Sequence, residues 1–158
     1  MRLAVDVMCG GIVPYLRMCG HDAVYVGDEG IEDDGAILEF AVGEARTILT
    51  RDVELATRAD DAILLERRET EDQLTELLEA GVDLDLEDEP TYCGSCNGHL
   101  EGVDPTGSLP EYAPDPGDVA VWRCRDCGQG FWKGSHWDRV GETLKEVRQN
   151  ARSRIDGQ

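Results

Sequence analysis

The chain has 158 residues, the length of one ordinary domain or of a domain carrying a small module. Apolar residues make up 41% of it, enough for one core, and no run of about 18 apolar residues offers a membrane span. Thirty-four acids stand against 15 Lys and Arg, for a net charge of −19 and an isoelectric point near 4.3. Asp6 interrupts the N-terminal apolar stretch too early for a signal peptide, so a soluble, cytoplasmic protein without membrane contact is the expectation.

Thirteen of the bases are Arg and two, Lys133 and Lys145, are Lys. Disorder is one reading of such acidity, but the regular apolar periodicity described below argues against it. Adaptation to a salt-rich cytoplasm, as in a halophilic archaeon, is the favoured reading. In molar salt the Debye length shrinks to about 3 Å, so the negative charge does not exclude nucleic acid as a substrate. The charge is also uneven: residues 1–90 hold 24 acids and 7 bases, whereas residues 91–158 hold 10 and 8, with all three Trp. The shift suggests two modules with a boundary in the acidic stretch 83–90, residues 1–90 and then 91–138, and the net-positive segment 139–158 follows as a basic helix or tail.

Leu3 to Val7 reads as a buried strand holding one acid, followed by a helix from Ile12 to Cys19 that ends at Gly20. His21 to Val26 reads as a second strand. Asp33 and Asp34 cap a helix whose Ile37, Leu38, Ala41, Val42 and Ala45 share a face. Thr47 to Thr50 is a third strand, Asp52 opens a helix carrying Leu55, Ala56 and Ala59, and Ala62 to Leu65 is a fourth strand. Thr70-Glu71-Asp72-Gln73 fits a capping box before Leu74, Leu77 and Leu78, and Gly81 ends that helix. Strands alternating with helices predict an α/β fold with a small parallel sheet, whose functional crevice lies outside the carboxyl ends of the strands.

Three acids fall near that edge: Asp6, Asp34 (with Asp33 as an alternative) and Asp52. Carboxylate oxygens suit Mg²⁺ or Mn²⁺, which can activate water against a phosphodiester. Asp34 and Asp52 also read as plain helix caps, whereas an acid within an apolar strand is costly to bury unpaired. Arg17 and Arg51 flank the crevice and could meet phosphate or simply form surface ion pairs. His21 reads as structural, and Cys9 and Cys19 as small packing residues.

The strongest pattern is the pair of C-x₂-C knuckles, Cys93/Cys96 and Cys124/Cys127, which together make a closed, structural Cys₄ zinc site. The 27 residues between the knuckles include a loop with Pro105, Gly107, Pro110, Pro114, Pro116 and Gly117. Disulfides are the alternative, disfavoured by a cytosolic setting. After the second knuckle, Phe131, Trp132 and Trp137 suit either a small core or base stacking. Lys133, Ser135 and His136 are candidate substrate contacts. The segment from Arg139 to Ile155 reads as a basic helix with Val140, Leu144 and Val147 on one face, and no pattern assigns an oligomeric state.

The order of Leu3–Met8, Tyr15–Asp22, Leu49–Leu55, the two knuckles and Trp132–Trp137 resembles the Mut-seven C-terminal ribonuclease domain family, a PIN-like nuclease fused to a zinc ribbon. The likeness runs from residue 3 to about 139. It implies metal-dependent hydrolysis of RNA, single-stranded by preference, with Asp6, Asp34 and Asp52 at the positions of metal-binding acids. Gly11-Ile12-Val13-Pro14 departs from the basic residue the family often carries there. The competing expectation is a non-catalytic, RNA- or ribosome-associated zinc-ribbon binding protein. A toxin of the PIN type is a third, disfavoured by the ribbon.

Overall fold

In the computed structural model the described residues are 1–104, 106, 109 and 111–156, the side chains of 154–156 excepted. Pro105, Gly107 and Pro110 of the expected loop, and the Arg154 and Ile155 side chains, lie outside them. Four strands form one parallel sheet in the order β2-β1-β3-β4: β1 (Arg2–Val5), β2 (Asp22–Tyr25), β3 (Thr47–Thr50) and β4 (Ala62–Leu64). Leu3 pairs with both Ala23 and Thr47, and Ile48 pairs with Ala62.

Side chains alternate across this sheet, and both of its faces are covered. Leu3, Val5 and Leu49 point into one core with Val13 and Leu16 of α1 (Val13–Met18) and Leu74 and Leu77 of α4 (Thr70–Glu79). Val140, Leu144 and Val147 of α5 (Ser135–Asp156) complete that core. Ala4 and Ile48 point the other way, onto Ile37 and Ala41 of α2 (Asp34–Gly43) and Leu55 of α3 (Val53–Arg58). Double-sided burial is why these strands read as short continuous apolar runs. Because α1 leaves on one face and α3 on the other, the direction of winding reverses between β1 and β3.

Local details depart from expectation in four places. Asp6 stands one residue beyond β1 and opens a 3-10 segment, Val7–Ile12, rather than sitting within the strand. Val42 on α2 is 62% exposed, and only Ile37 and Ala41 of the expected face are fully buried. The capping box at Thr70 does not form: Thr70 is already helical, and Gln73 turns back to donate to the Arg67 carbonyl at 2.9 Å. The terminal helix begins at Ser135, four residues before Arg139.

The acidic stretch after α4 is pinned, not free. Val82 and Leu84 are buried in the larger core, His21 reaches the Asp83 carbonyl, and Arg148 donates to the Leu84 carbonyl at 3.0 Å. From Val82 to Asp85, alternation puts the apolar residues inward and the acids outward. The chain then enters a three-stranded antiparallel sheet, β5 (Leu100–Gly102), β6 (Val121–Cys124) and β7 (Gly130–Trp132).

This second sheet docks on the free edge of β2 through its first knuckle. The Ala23 N–H donates to Asn97 Oδ1 at 3.1 Å, and the Ala23 carbonyl accepts from Arg17 Nε at 2.9 Å. Arg17 Nη1 also reaches the Gly94 carbonyl at 3.0 Å, and Asn97 Nδ2 donates to Asp22 Oδ1 at 2.7 Å. The unpaired backbone groups of an edge strand are thereby satisfied and hidden. Asp22 also accepts from Arg46 at 2.8 Å. Burial alone would raise its carboxyl, but the hydrogen bonds from Arg46 and Asn97 bring it below the ordinary range.

Two predictions test these constraints. Gly81, at φ +95°, closes α4 with its N–H on the Leu78 carbonyl while Val82 N–H reaches Leu77, and Ala45, at φ 54°, holds the same place after α2. Gly81→Ala should cost about 1 kcal/mol, and Ala45→Gly should gain up to about 1 kcal/mol, in urea unfolding. Asn97 itself has φ 67°, so Asn97→Gly keeps the backbone and removes only the side-chain bonds. Its expected signature is faster hydrogen exchange at the Ala23 amide, with a stability loss of roughly 1–3 kcal/mol.

Candidate active site and metal centre

The carboxyl ends of β1 and β3 meet where the winding reverses, the place where open α/β sheets form a crevice. Asp6 follows β1 there. Its N–H donates to the Leu49 carbonyl at 2.9 Å, extending the β1–β3 ladder by one bond. Its extended backbone (φ −64°, ψ 153°) lets Oδ1 accept the Val7 N–H at 2.8 Å. Oδ2 accepts the Thr50 hydroxyl at 2.7 Å, and the residue is only 6% exposed. A carboxylate so far removed from water is costly unless hydrogen-bonded, and these two donors offset that cost.

Thr50 ties the second acid to the first. Its Oγ1 donates to Asp6 and accepts from the Asp52 N–H at 3.0 Å. Asp52 caps α3 through one oxygen: Oδ1 accepts from the Glu54 and Leu55 N–H groups at 2.9 and 3.3 Å. Its Oδ2 has no hydrogen-bond partner among the described residues. The β3 end thus carries both a cap and a spare carboxylate oxygen.

At the N-terminus of α2 the two neighbouring acids divide the work. Asp33 is the cap, with Oδ1 accepting from the Ala36 N–H at 2.8 Å. Asp34 lies in the first helical turn with no hydrogen bond among the described residues. No direct bond links Asp34 to the Asp6–Thr50–Asp52 chain among those residues. The carboxylates of Asp6, Asp34 and Asp52 do not draw as close together as the cysteine sulfurs described below.

The two arginines part company. Arg17, 4% exposed, spends its guanidinium on the Ala23 and Gly94 carbonyls, so it braces the second sheet and does not meet the crevice. Arg51 follows Thr50 directly, and its Nε is buried without a hydrogen-bond partner. Cys9 lies between the Arg51 backbone and Asp6. Burial, with Asp6 adding, pushes its thiol up to about 11, which makes it a packing residue and not a nucleophile. Burial, with Asp83 next, likewise raises Cys19 to about 12.

The four knuckle cysteines converge, with one sulfur from each lying within 4.8 Å of every other. Cys93 Sγ is 3.7 Å from Cys127 Sγ, and Cys96 Sγ is 3.5 Å from Cys124 Sγ. Four zinc–sulfur bonds of about 2.3 Å span a tetrahedron with edges of about 3.8 Å, so this donor set fits Zn²⁺. All four are thiols rather than disulfides, and with no open position such a centre is structural. Among the described residues it is the only group of three or more candidate ligands at this spacing.

Lys133, Ser135 and His136 are exposed at the junction of β7 and α5. His136 and Trp137 share a crevice with Met18, at the end of α1 where the chain turns into β2. That is the amino end of the strands, opposite the aspartates. Two residues escaped the sequence reading: Thr50, whose hydroxyl holds the aspartate edge together, and Asn97, whose side chain docks the knuckle. Thr50 carried one usable signal, a polar residue ending an apolar strand two positions before Asp52.

Among the described residues no helix is long and apolar enough to cross a membrane. Comparison with curated proteins and with solved structures gave no match. A family model for the Mut7-C RNAse domain matches residues 1–144, which include the aspartate edge, both knuckles and the start of α5. The chain therefore belongs to the Mut7-C RNAse domain family, which points to a nuclease role with RNA as substrate.

Proposed function

We propose that this chain is a metal-dependent ribonuclease, PIN-like in its sheet, that hydrolyses phosphodiester bonds of single-stranded RNA at the carboxyl edge of β1 and β3. The observation that carries the reading is the Asp6–Thr50–Asp52 chain: a buried, hydrogen-bonded carboxylate joined through one hydroxyl to a second with an unused oxygen. Membership of the Mut7-C RNAse domain family supports the same substrate class.

The residues suit Mg²⁺ or Mn²⁺. Such sites take one or two carboxylates with substrate phosphate, and carboxylates offer more lone pairs than the bonds described here consume. Asp6 and Asp52 would hold the ion, and Asp34 would either add an oxygen or orient the attacking water. Bound there, the metal supplies Lewis-acid polarisation of the phosphoryl oxygen and a more acidic water. Arg51, which follows Thr50 on the crevice strand, would steady a non-bridging phosphate oxygen through the terminal nitrogens of its guanidinium. A zinc held by Cys93, Cys96, Cys124 and Cys127 would take no part in the chemistry and would stabilise the second sheet that covers β2.

Cleavage of an end-labelled single-stranded RNA with Mn²⁺ in molar KCl tests the proposal directly. The wild type should cut and EDTA should stop it. Asp6→Asn should abolish cutting while the circular dichroism spectrum is kept. Full activity in Asp6→Asn would refute the assignment, and RNA retention without cutting by the wild type would favour the binding-protein reading.

Thr50 supplies a second test. Thr50→Val strips the hydroxyl from a buried carboxylate and should lower stability by about 1.5–3 kcal/mol as well as activity. Thr50→Ser should restore most of both, read by urea unfolding beside the cleavage assay.

A further inference from the structure

The junction of the second sheet with α5 carries a cavity of about 280 Å³ that the cleavage edge does not use. Tyr112, Gln129, Phe131, Trp132, Ser135 and His136 line it. The rings of Tyr112 and Trp132 are 6.0 Å apart at an angle of 34°. Tyr112 is 57% exposed yet held in place, because its hydroxyl accepts the Gly130 N–H at 2.9 Å. A Cβ on Gly134 would lie 2.7 Å from Trp132 Nε1, so only glycine lets the indole rest across the backbone there. An exposed aromatic wall fixed by a hydrogen bond is poorly explained by core packing.

Two cations stand beside the cavity, though neither lines it, and the exposed acids Glu111 and Asp138 are next in sequence to Tyr112 and Trp137. Lys133 follows Trp132, with Nζ 5.4 Å from the centre of the Trp137 ring, and Arg139 lies one turn further along α5. Neither cation has a carboxylate within 4.0 Å among the described residues. In a protein of net charge −19, cations without an acid partner among the described residues stand next to aromatic faces here. That combination is the usual recognition chemistry for single strands: stacking for the base, positive charge for the backbone.

We propose that this cavity binds one unpaired RNA base, stacked on Trp132 and Tyr112 with its phosphate at Lys133, and anchors the strand away from the cleavage edge. The proposal rests on RNA being the substrate class. The neighbouring crevice that contains His136, Trp137 and Met18 lies at the amino ends of the strands, whereas Asp6 and Asp52 lie at the carboxyl ends. A strand must therefore pass the body of the protein to touch both, and short RNAs lose the anchor. Stacking survives molar salt, whereas phosphate contacts are screened, so the base carries the anchor's selectivity in brine.

The probe is a fluorescein-labelled twelve-nucleotide oligouridylate, and its binding is followed by anisotropy on Asp6→Asn protein to prevent cutting. Tyr112→Leu and Lys133→Ala change exposed side chains. Tyr112→Leu should weaken binding about tenfold at low and at molar KCl alike. Lys133→Ala should weaken it at low KCl only. An RNA carrying 4-thiouridine should crosslink to peptides containing Tyr112 or Trp132. Unchanged affinity in both variants, or crosslinks confined to peptides bearing Asp6, Arg51 or Asp52, would overturn the anchor.

The two readings fail separately. A wild type that cuts RNA, with Tyr112→Leu binding unaltered, sinks the anchor and leaves the nuclease. A crosslink at Tyr112 in a protein that never cuts sinks the nuclease and leaves the anchor.

Discussion

A parallel sheet must be covered on both faces and shielded at its edges, and the rest of this molecule follows from meeting that requirement with four short strands. The faces are covered by α1, α4 and α5 on one side and by α2 and α3 on the other. The β2 edge is covered by something helices do not supply, a cysteine knuckle whose Asn97 and Gly94 complete the hydrogen bonding of β2 and Arg17. The four-cysteine sheet and the edge of the α/β sheet thereby share their hydrogen bonds. A structural zinc would stabilise both, because the knuckle cannot present Asn97 unless its own turn is formed.

Covering both faces also decides where charge can collect. With the winding reversed between β1 and β3, their carboxyl ends are left without a helix across them. Acids that would be intolerable inside the core find backbone donors there: Val7 for Asp6, Glu54 and Leu55 for Asp52, and Ala36 for Asp33. The same donors that make these acids ordinary caps make them tolerable as carboxylates at the strand ends, which the proposed ligand role requires. Capping uses one oxygen of a carboxylate and leaves the other available, so the structural and chemical readings of Asp52 coexist. Asp33 and Asp34 solve the same problem by splitting the roles between two residues.

Arginine 17 shows how burial redirects a residue that composition marks as functional. On sequence, a basic residue near the first helix suits phosphate. In the fold it lies along the outer edge of β2, and its guanidinium is consumed by the Ala23 and Gly94 carbonyls. Arg51 has the same side chain but follows the crevice strand, and there its Nε stays unsatisfied. The difference is one of place in the sheet, the outer edge of β2 against the end of β3, which residue type does not encode.

The sequence alone determined the order of strands and helices from β1 to α4, because period-two and period-three-to-four apolar patterns are local and survive without tertiary contacts, whereas β5 to β7 carried no such pattern. It determined the four-cysteine centre, because a C-x₂-C turn presents two sulfurs wherever the knuckle sits. It also located Asp6, Asp33, Asp34 and Asp52 near strand ends and helix starts. Tertiary structure alone decided that the Thr50 hydroxyl reaches Asp6 across forty-four positions and so joins it to Asp52. It decided that Gln73 would desert its capping box for the Arg67 carbonyl, and that Val42 would face solvent. It also set the aromatic cavity at the end of the strands opposite the aspartates. Each of these depends on which strand lies beside which, and strand order is fixed by packing both faces of the sheet at once, a constraint that no local window of sequence contains.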